Sequence, residues 1–153
     1  MYRRILVPFD GSKYSKKSLD HAIEMARIRH GVIYLCTIIN ANPIVPPGSL
    51  LGLVKTSSRN EFRKKIFLAT KMEAEKMRRE QIQYCKTKGI DIHYKIINND
   101  NIVEQILKIA KKKSIDIIVI GSQGLQGIGK IRTLGSISRK VSELAHCPVL
   151  IIR

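Results

Sequence analysis

Five of the chain's ten glycines, at positions 121, 124, 127, 129 and 135, fall within one short stretch. Glycine tolerates positive φ and lets backbone N–H groups approach a ligand closely, so such a loop can cradle phosphate oxygens. Just before it, Ile117-Ile-Val-Ile120 is an apolar β-branched run, the composition of a strand buried on both faces of a parallel sheet. Just after it, Gly135-Ser136 opens a helical pattern with Ile137, Val141 and Leu144 on one face. A helix N-terminus offers unpaired N–H groups and a partial positive charge, both favourable to an anion. Strand, glycine loop and helix start together predict a phosphate site. The alternative is a glycine-rich connector that holds nothing.

Known phosphate motifs fit only in part. Gly124-Leu-Gln-Gly-Ile-Gly129-Lys130-Ile131 approaches G-x-x-x-x-G-K-[ST], but Ile131 replaces the hydroxyl that would hold magnesium. A dinucleotide G-x-G-x-x-G is absent, since Gly127-Ile-Gly129 runs on into Lys-Ile-Arg. The turn Phe9-Asp10-Gly11-Ser12 lacks the S-G-G-x-D-S pyrophosphatase pattern, which argues against adenylating enzymes. No catalytic constellation emerges either. His21, His30, His93 and His146 show no i, i+4 pairing that suggests zinc, and Ser12 and Ser136 have no evident histidine base.

The elements that must position these residues alternate along the chain. Arg3 to Phe9 reads as a first strand ended by Pro8, which cannot donate to a ladder. Leu19, Ala22, Ile23 and Ala26 mark an amphipathic helix capped by Ser12 or Ser15 and closed at His30-Gly31. Val32 to Ile39 is a second strand. Residues 40–58 lose all periodicity, which is long for a connector and suggests a lid or mobile loop. Asn60 to about Lys88 is a long helix with Phe62, Ile66, Ala69, Met77 and Cys85 as its apolar stripe. Ile90, Ile92, Tyr94 and Ile96 alternate with polar residues as a third strand with one wetter face. Asn101 to Lys113 is a helix with Ile102, Val103, Ile106, Leu107 and Ala110 inward, and Asn101 with Glu104 has capping-box spacing. The glycine-flanked strand, a helix to about Ala145 and a last strand from Pro148 to Ile152 complete the series. Such alternation predicts an α/β fold, an open five-stranded parallel sheet with helices on both faces. Ligands in such sheets sit beyond the carboxyl ends of the strands, at the switch of strand order. Asp10-Gly11-Ser12 and Gly121 to Gly135 both lie on that edge.

The bulk numbers set limits. A chain of 153 residues reads as one domain spanning 1–153. Cys36, Cys85 and Cys147 are scattered and odd in number, and the N-terminus lacks a signal-peptide pattern; both suggest the cytoplasm. No apolar run approaches a membrane span. The formal net charge of +16 would attract polyanions, though most basic residues read as solvated helix faces. Nucleic acid remains open as a partner but has no motif behind it.

Ile5-Leu-Val-Pro-Phe-Asp10-Gly-Ser12, Asp116-Ile-Ile-Val-Ile-Gly-Ser-Gln-Gly124, Leu134-Gly-Ser-Ile-Ser138 and Cys147-Pro-Val-Leu-Ile-Ile152 together resemble the universal stress protein family, and the resemblance covers the whole chain. It implies a Rossmann-like, adenine nucleotide alpha hydrolase-like sheet in the order 3-2-1-4-5. The family's ATP-binding members carry G-x2-G-x9-G-[ST]; here Gly121-x2-Gly124 is followed by ten residues before Gly135-Ser136. The resemblance implies ATP, with or without Mg2+, as cofactor, and at most slow hydrolysis. By the same resemblance Pro8 shapes the first turn and packs near the base. Asp10 meets ribose hydroxyls or adenine, or is simply a turn aspartate. Thr37 falls where an apolar residue commonly lies against adenine, or is an ordinary strand threonine. Ile120 lines the base pocket or the core. Gly121, Gly124, Gly135, Ser136 and Ile137 meet ribose and phosphates through backbone N–H groups and a hydroxyl, with Lys130 and Arg132 as neutralising charges. A homodimer through the C-terminal strand 149–152 and signalling to unspecified protein partners in the stress response are further implications. The alternatives are a non-nucleotide interaction or stability module of the same fold, and a basic polyanion-binding protein.

Overall fold

Every apolar β-branched run becomes a strand, and every strand pairing is parallel. The computed structural model describes residues 2–40, 56–124 and 134–153. Along them run β1 (Arg4–Pro8), α1 (Lys13–Arg29), β2 (Val32–Ile39), α2 (Thr56–Thr87), β3 (Ile92–Asn98), α3 (Ile102–Lys112), β4 (Ile117–Gly121), α4 (Ser136–Leu144) and β5 (Val149–Ile152). The sheet order is β3-β2-β1-β4-β5, as expected. Ile5 of β1 lies in register with Ile33 of β2 on one side and Ile117 of β4 on the other. The chain therefore works outward from β1 to β3 and then crosses back to β4, so the switch of direction falls between β1 and β4.

Two apolar layers sandwich the sheet, and the period-two alternation of each strand divides its residues between them. Ile5, Val7 and Phe9, with Ile33, Leu35, Ile117 and Val119, meet Leu19, Ala22, Ile23 and Ala26 of α1 and Cys85 of α2. On the other face Leu6, Cys36, Ile118 and Ile120 meet Ile106 and Ala110 of α3 and Val141 of α4. All four expected core positions of α1 are buried.

Three helices differ from the sequence expectation. α2 begins at Thr56, inside the stretch expected to be irregular; residues 41–55 of that stretch lie outside the described residues. Of its expected stripe Cys85 is buried and Met77 packs on the core, but Phe62 is 39% exposed and Ala69 is exposed. Length explains this. A helix of 32 residues spans about 48 Å at ~1.5 Å per residue, roughly twice the reach of a seven-residue strand. Only its C-terminal half has sheet beneath it. On α3, Ile109 packs on the core where Leu107 was expected. On α4, Leu144 is 63% exposed, while Ser138 is buried. α1 ends with His30 itself in the left-handed region (φ 49°), and the Gly31 N–H donates to the Ala26 carbonyl at 2.9 Å.

At the amino edge of the sheet, Asp116 ties β4 to the start of the chain. Its Oδ2 accepts from the backbone N–H of Arg4 at 2.8 Å and of Arg3 at 2.9 Å. The Arg4 N–H, foremost, holds the carboxyl below its ordinary value; burial opposes it, and the Arg3 N–H and the Arg4 charge add to the lowering. A carboxyl depressed by folding stabilises above its unfolded pKa and loses that contribution as pH falls through the folded value. Because the group is exposed, the effect is small. Asp116→Ala is expected to lower unfolding free energy by about 1 kcal/mol at neutral pH. In urea titrations the gap to the parent protein should close in strong acid, below the ordinary carboxyl range.

Candidate functional site

The carboxyl edge at the switch between β1 and β4 is built from hydrogen bonds that the local sequence dictates. The Phe9 N–H extends the ladder to the Cys36 carbonyl at 2.8 Å, and the strand then turns. Asp10 Oδ1 accepts from the Ser12 N–H at 3.0 Å, an aspartate turn. Ser12 Oγ caps α1 by accepting from the Ser15 N–H at 3.1 Å, which decides between the two candidate caps. The other carboxylate oxygen of Asp10 faces the loop after β4: a Cβ placed on Gly124 would lie 2.9 Å from Oδ2. Asp10 and Gly124, 114 positions apart in the sequence, thus stand side by side.

Gly121 answers to packing. A Cβ there would lie 2.7 Å from Tyr14 Cβ and 3.0 Å from the Tyr14 carbonyl carbon, so the first turn of α1 rests directly on β4. Ser122, which the sequence reading passed over, organises the rest. Its N–H donates to the Ile152 carbonyl at 2.7 Å, and its own carbonyl accepts from the Gly135 N–H at 2.7 Å and Ser138 Oγ at 3.0 Å. Both ends of the glycine-rich segment are therefore pinned at one point. Residues 125–133, with Gly127, Gly129, Lys130 and Arg132, lie outside the described residues.

From that point α4 begins with Gly135 as N-cap, no side-chain cap and no acidic residue in its first turn. The helix carries no compensation of its own for the orphan N–H groups and positive dipole end. Ser136 is exposed beside them; Ile137 turns its side chain onto the core and leaves only its backbone to the site.

Pro8 and Ile120 share one face of the sheet. Each follows by two a residue of the second core layer, Leu6 and Ile118 respectively, and Ile120 itself is buried there. Thr37 lies on the opposite face, two residues beyond Leu35 in the first layer. Its Oγ1 donates to the Phe9 carbonyl at 2.7 Å and lies 2.6 Å from Tyr94 Oη. Burial pushes the Tyr94 phenol up to about 12. The Thr37 side chain thus fastens the ends of β1, β2 and β3 together. Thr37→Val is expected to cost about 1–2 kcal/mol in urea unfolding, because the buried Phe9 carbonyl and the half-buried Tyr94 hydroxyl lose their bond.

The remaining chemistry is spare. Burial pushes the Cys36 thiol up to about 12 and the Cys85 thiol up to about 11, so neither is a reactive thiolate at neutral pH. Among the described residues, no cluster of three or more His, Cys, Asp or Glu is placed to hold a metal. Among the same residues, no helix is long and apolar enough to cross a membrane.

Comparison with known proteins agrees with this architecture. The universal stress protein family model matches residues 1–153. Universal stress protein YxiE of Bacillus subtilis is 34% identical, with each chain covered in full. UspA of Lactobacillus plantarum has the same fold, with a TM-score of 0.82 at 21% identity over 99% of this chain and 98% of that one. Two other solved universal stress proteins hold nucleotides. One is in complex with cAMP (TM-score 0.68, 22% identity, 99% and 97% covered). The other, from Archaeoglobus fulgidus, is in complex with dAMP (TM-score 0.61, 21% identity, 99% and 98% covered). A family match from the first residue to the last, with a relative alike end to end, leaves one conclusion: the chain belongs to the universal stress protein family.

Proposed function

We propose that the chain binds an adenine nucleotide at the carboxyl edge between β1 and β4, and that its nucleotide state is read by protein partners in the stress response. The observation that carries this reading is the meeting of Asp10 with Gly124 beside the uncapped start of α4. The residues suit such a ligand. A carboxylate accepts hydrogen bonds from ribose hydroxyls, the Pro8 and Ile120 face is apolar enough for a base, and free N–H groups at a helix start favour phosphate. Gly124 leaves the room beside Asp10 that a side chain would fill. The cAMP and dAMP complexes of family members support the same ligand class.

ATP is the nucleotide this reading favours, with Mg2+ as its counter-ion. On this reading the protein is a binder whose hydrolysis, where it occurs, is slow. The exposed Leu150 of β5 supports a homodimer through residues 149–152; a cytoplasmic location belongs to the same reading. The test is mass spectrometry of small molecules released from denatured protein, followed by calorimetry of the stripped protein with ATP, AMP and cAMP. An adenine nucleotide in the extract, or heat on titration, is the expected result. A protein that releases none and gives no heat with any of the three overturns the reading.

A further inference from the structure

Six of the chain's 28 basic residues stand at the opposite, amino edge of the sheet. Strand starts and helix ends share the amino edge of a parallel sheet flanked by helices. Arg3 and Arg4 lead into β1 there, Arg27 and Arg29 close α1, and Lys111 and Lys112 close α3. All six are exposed. They come from three layers, one helix on each face and the sheet between, and so form a band across the edge.

Basic residues in a last helical turn complement the helix dipole, which accounts for the four on α1 and α3. It does not account for Arg3 and Arg4, which begin a strand. None of the six stands in the ion pairs Lys76–Glu80 and Arg78–Glu75, both on α2, though the Arg4 charge does act on Asp116. Asp116 stands among them, but its carboxylate is turned onto the N–H groups of Arg3 and Arg4 and sets the position of that pair.

The edge is also concave. A shallow, open depression of about 670 Å³ lies there, lined by Tyr2, Arg3, Arg4, His30, Val32, Asp116 and Pro148. Tyr2 holds a φ of 59°, a left-handed conformation that tyrosine adopts at a cost, and still packs on the core while lining the hollow. An aromatic side chain beside exposed guanidinium groups in an open depression is the pattern of single-strand binding, where bases stack and cations follow the backbone.

We infer that this edge binds the sugar-phosphate backbone of single-stranded nucleic acid without reading its sequence. The aromatic ring of Tyr2 beside the cations favours a strand whose bases can stack over a lipid headgroup, which offers none. The site is separate from the nucleotide site, being at the other end of every strand, and stands or falls independently of it.

The test is fluorescence anisotropy of a labelled oligothymidylate with full-length protein, at salt from about 50 mM to about 200 mM. One variant removes four charges of the edge (R3Q, R4Q, K111Q, K112Q); a matched variant removes four from α2 (R63Q, K64Q, K65Q, K71Q). Parent protein should bind with affinity falling steeply in salt. The edge variant should bind about tenfold or more weakly with a shallower salt slope, and the α2 variant within about twofold of the parent. Saturating ATP should leave the oligonucleotide affinity unchanged. No binding by the parent, equal loss in both variants, or tighter binding to phosphatidylserine vesicles than to oligothymidylate would each overturn the inference. Photo-crosslinking of a thiothymidine oligonucleotide to parent protein gives a second measurement that needs no variant. Adducts on the peptide carrying residues 2–4 support the site, and adducts confined to α2 overturn it.

Discussion

Gly121→Ala is expected to cost about 2 kcal/mol of stability, although it adds a single methyl group. The added Cβ would sit 2.7 Å from Tyr14 Cβ, 3.0 Å from the Tyr14 carbonyl carbon and 3.2 Å from the Ser15 N. Two of these atoms belong to the backbone of α1's first turn, where no flexible side-chain end can swing aside. Either β4 or the start of α1 must shift, in an interior packed as densely as an organic crystal. A shift of α1 would also disturb the cap between Ser12 Oγ and the Ser15 N–H, and with it the turn that aims Asp10. The urea midpoint should fall with little change in slope. Gly124→Ala makes the contrast. Among the described residues its Cβ meets the Asp10 Oδ2, the end of a side chain, so stability should change by less than about 1 kcal/mol. Equal losses from the two substitutions would contradict this account.

Asp10→Asn is expected to weaken adenine-nucleotide binding by about tenfold or more with little loss of stability, on the proposed reading of the carboxyl edge. Asparagine keeps an oxygen to accept from the Ser12 N–H, now bonded to Oδ1 at 3.0 Å, so the turn should survive. What changes is the atom beside Gly124. A carboxylate oxygen that can accept from a ribose hydroxyl becomes an amide nitrogen that cannot. Bonds to charged acceptors contribute about 1.5–3 kcal/mol each, which sets the expected scale. Calorimetry with ATP before and after the change measures it directly. Unchanged affinity in a folded variant would reduce Asp10 to a turn residue.

These two residues also show why parts of the site could be read from the sequence. Asp10 follows a short apolar strand and Gly121 closes another, and alternating elements leave both at one sheet edge by topology alone. The role of Gly121 was not legible in the same way. A close approach to Tyr14 leaves no mark on either local sequence. Thr37 shows a different limit. β2 is apolar on both faces, so its sequence has no period-two signal to say which way a given side chain points. Only the burial of Leu35 in the first layer and Cys36 in the second settles it. Ser122 looked like an ordinary polar residue after a strand because its part is played by a backbone carbonyl, which every residue has. α2 misled through its length: a stripe of apolar residues promises a buried face only where another element lies beneath it.

The bonds from Gly135 and Ser138 to the Ser122 carbonyl make the glycine-rich segment a closed ring of chain with fixed anchors. Closing such a ring costs entropy that grows only with the logarithm of its length. Ten residues between Gly124 and Gly135 instead of nine therefore add only about 0.1 kcal/mol to closure. The anchoring bonds run between Ser122, Gly135 and Ser138 and do not involve the span itself. Selection can lengthen or shorten the span between them almost freely, so its length is a poor guide to what the anchors hold.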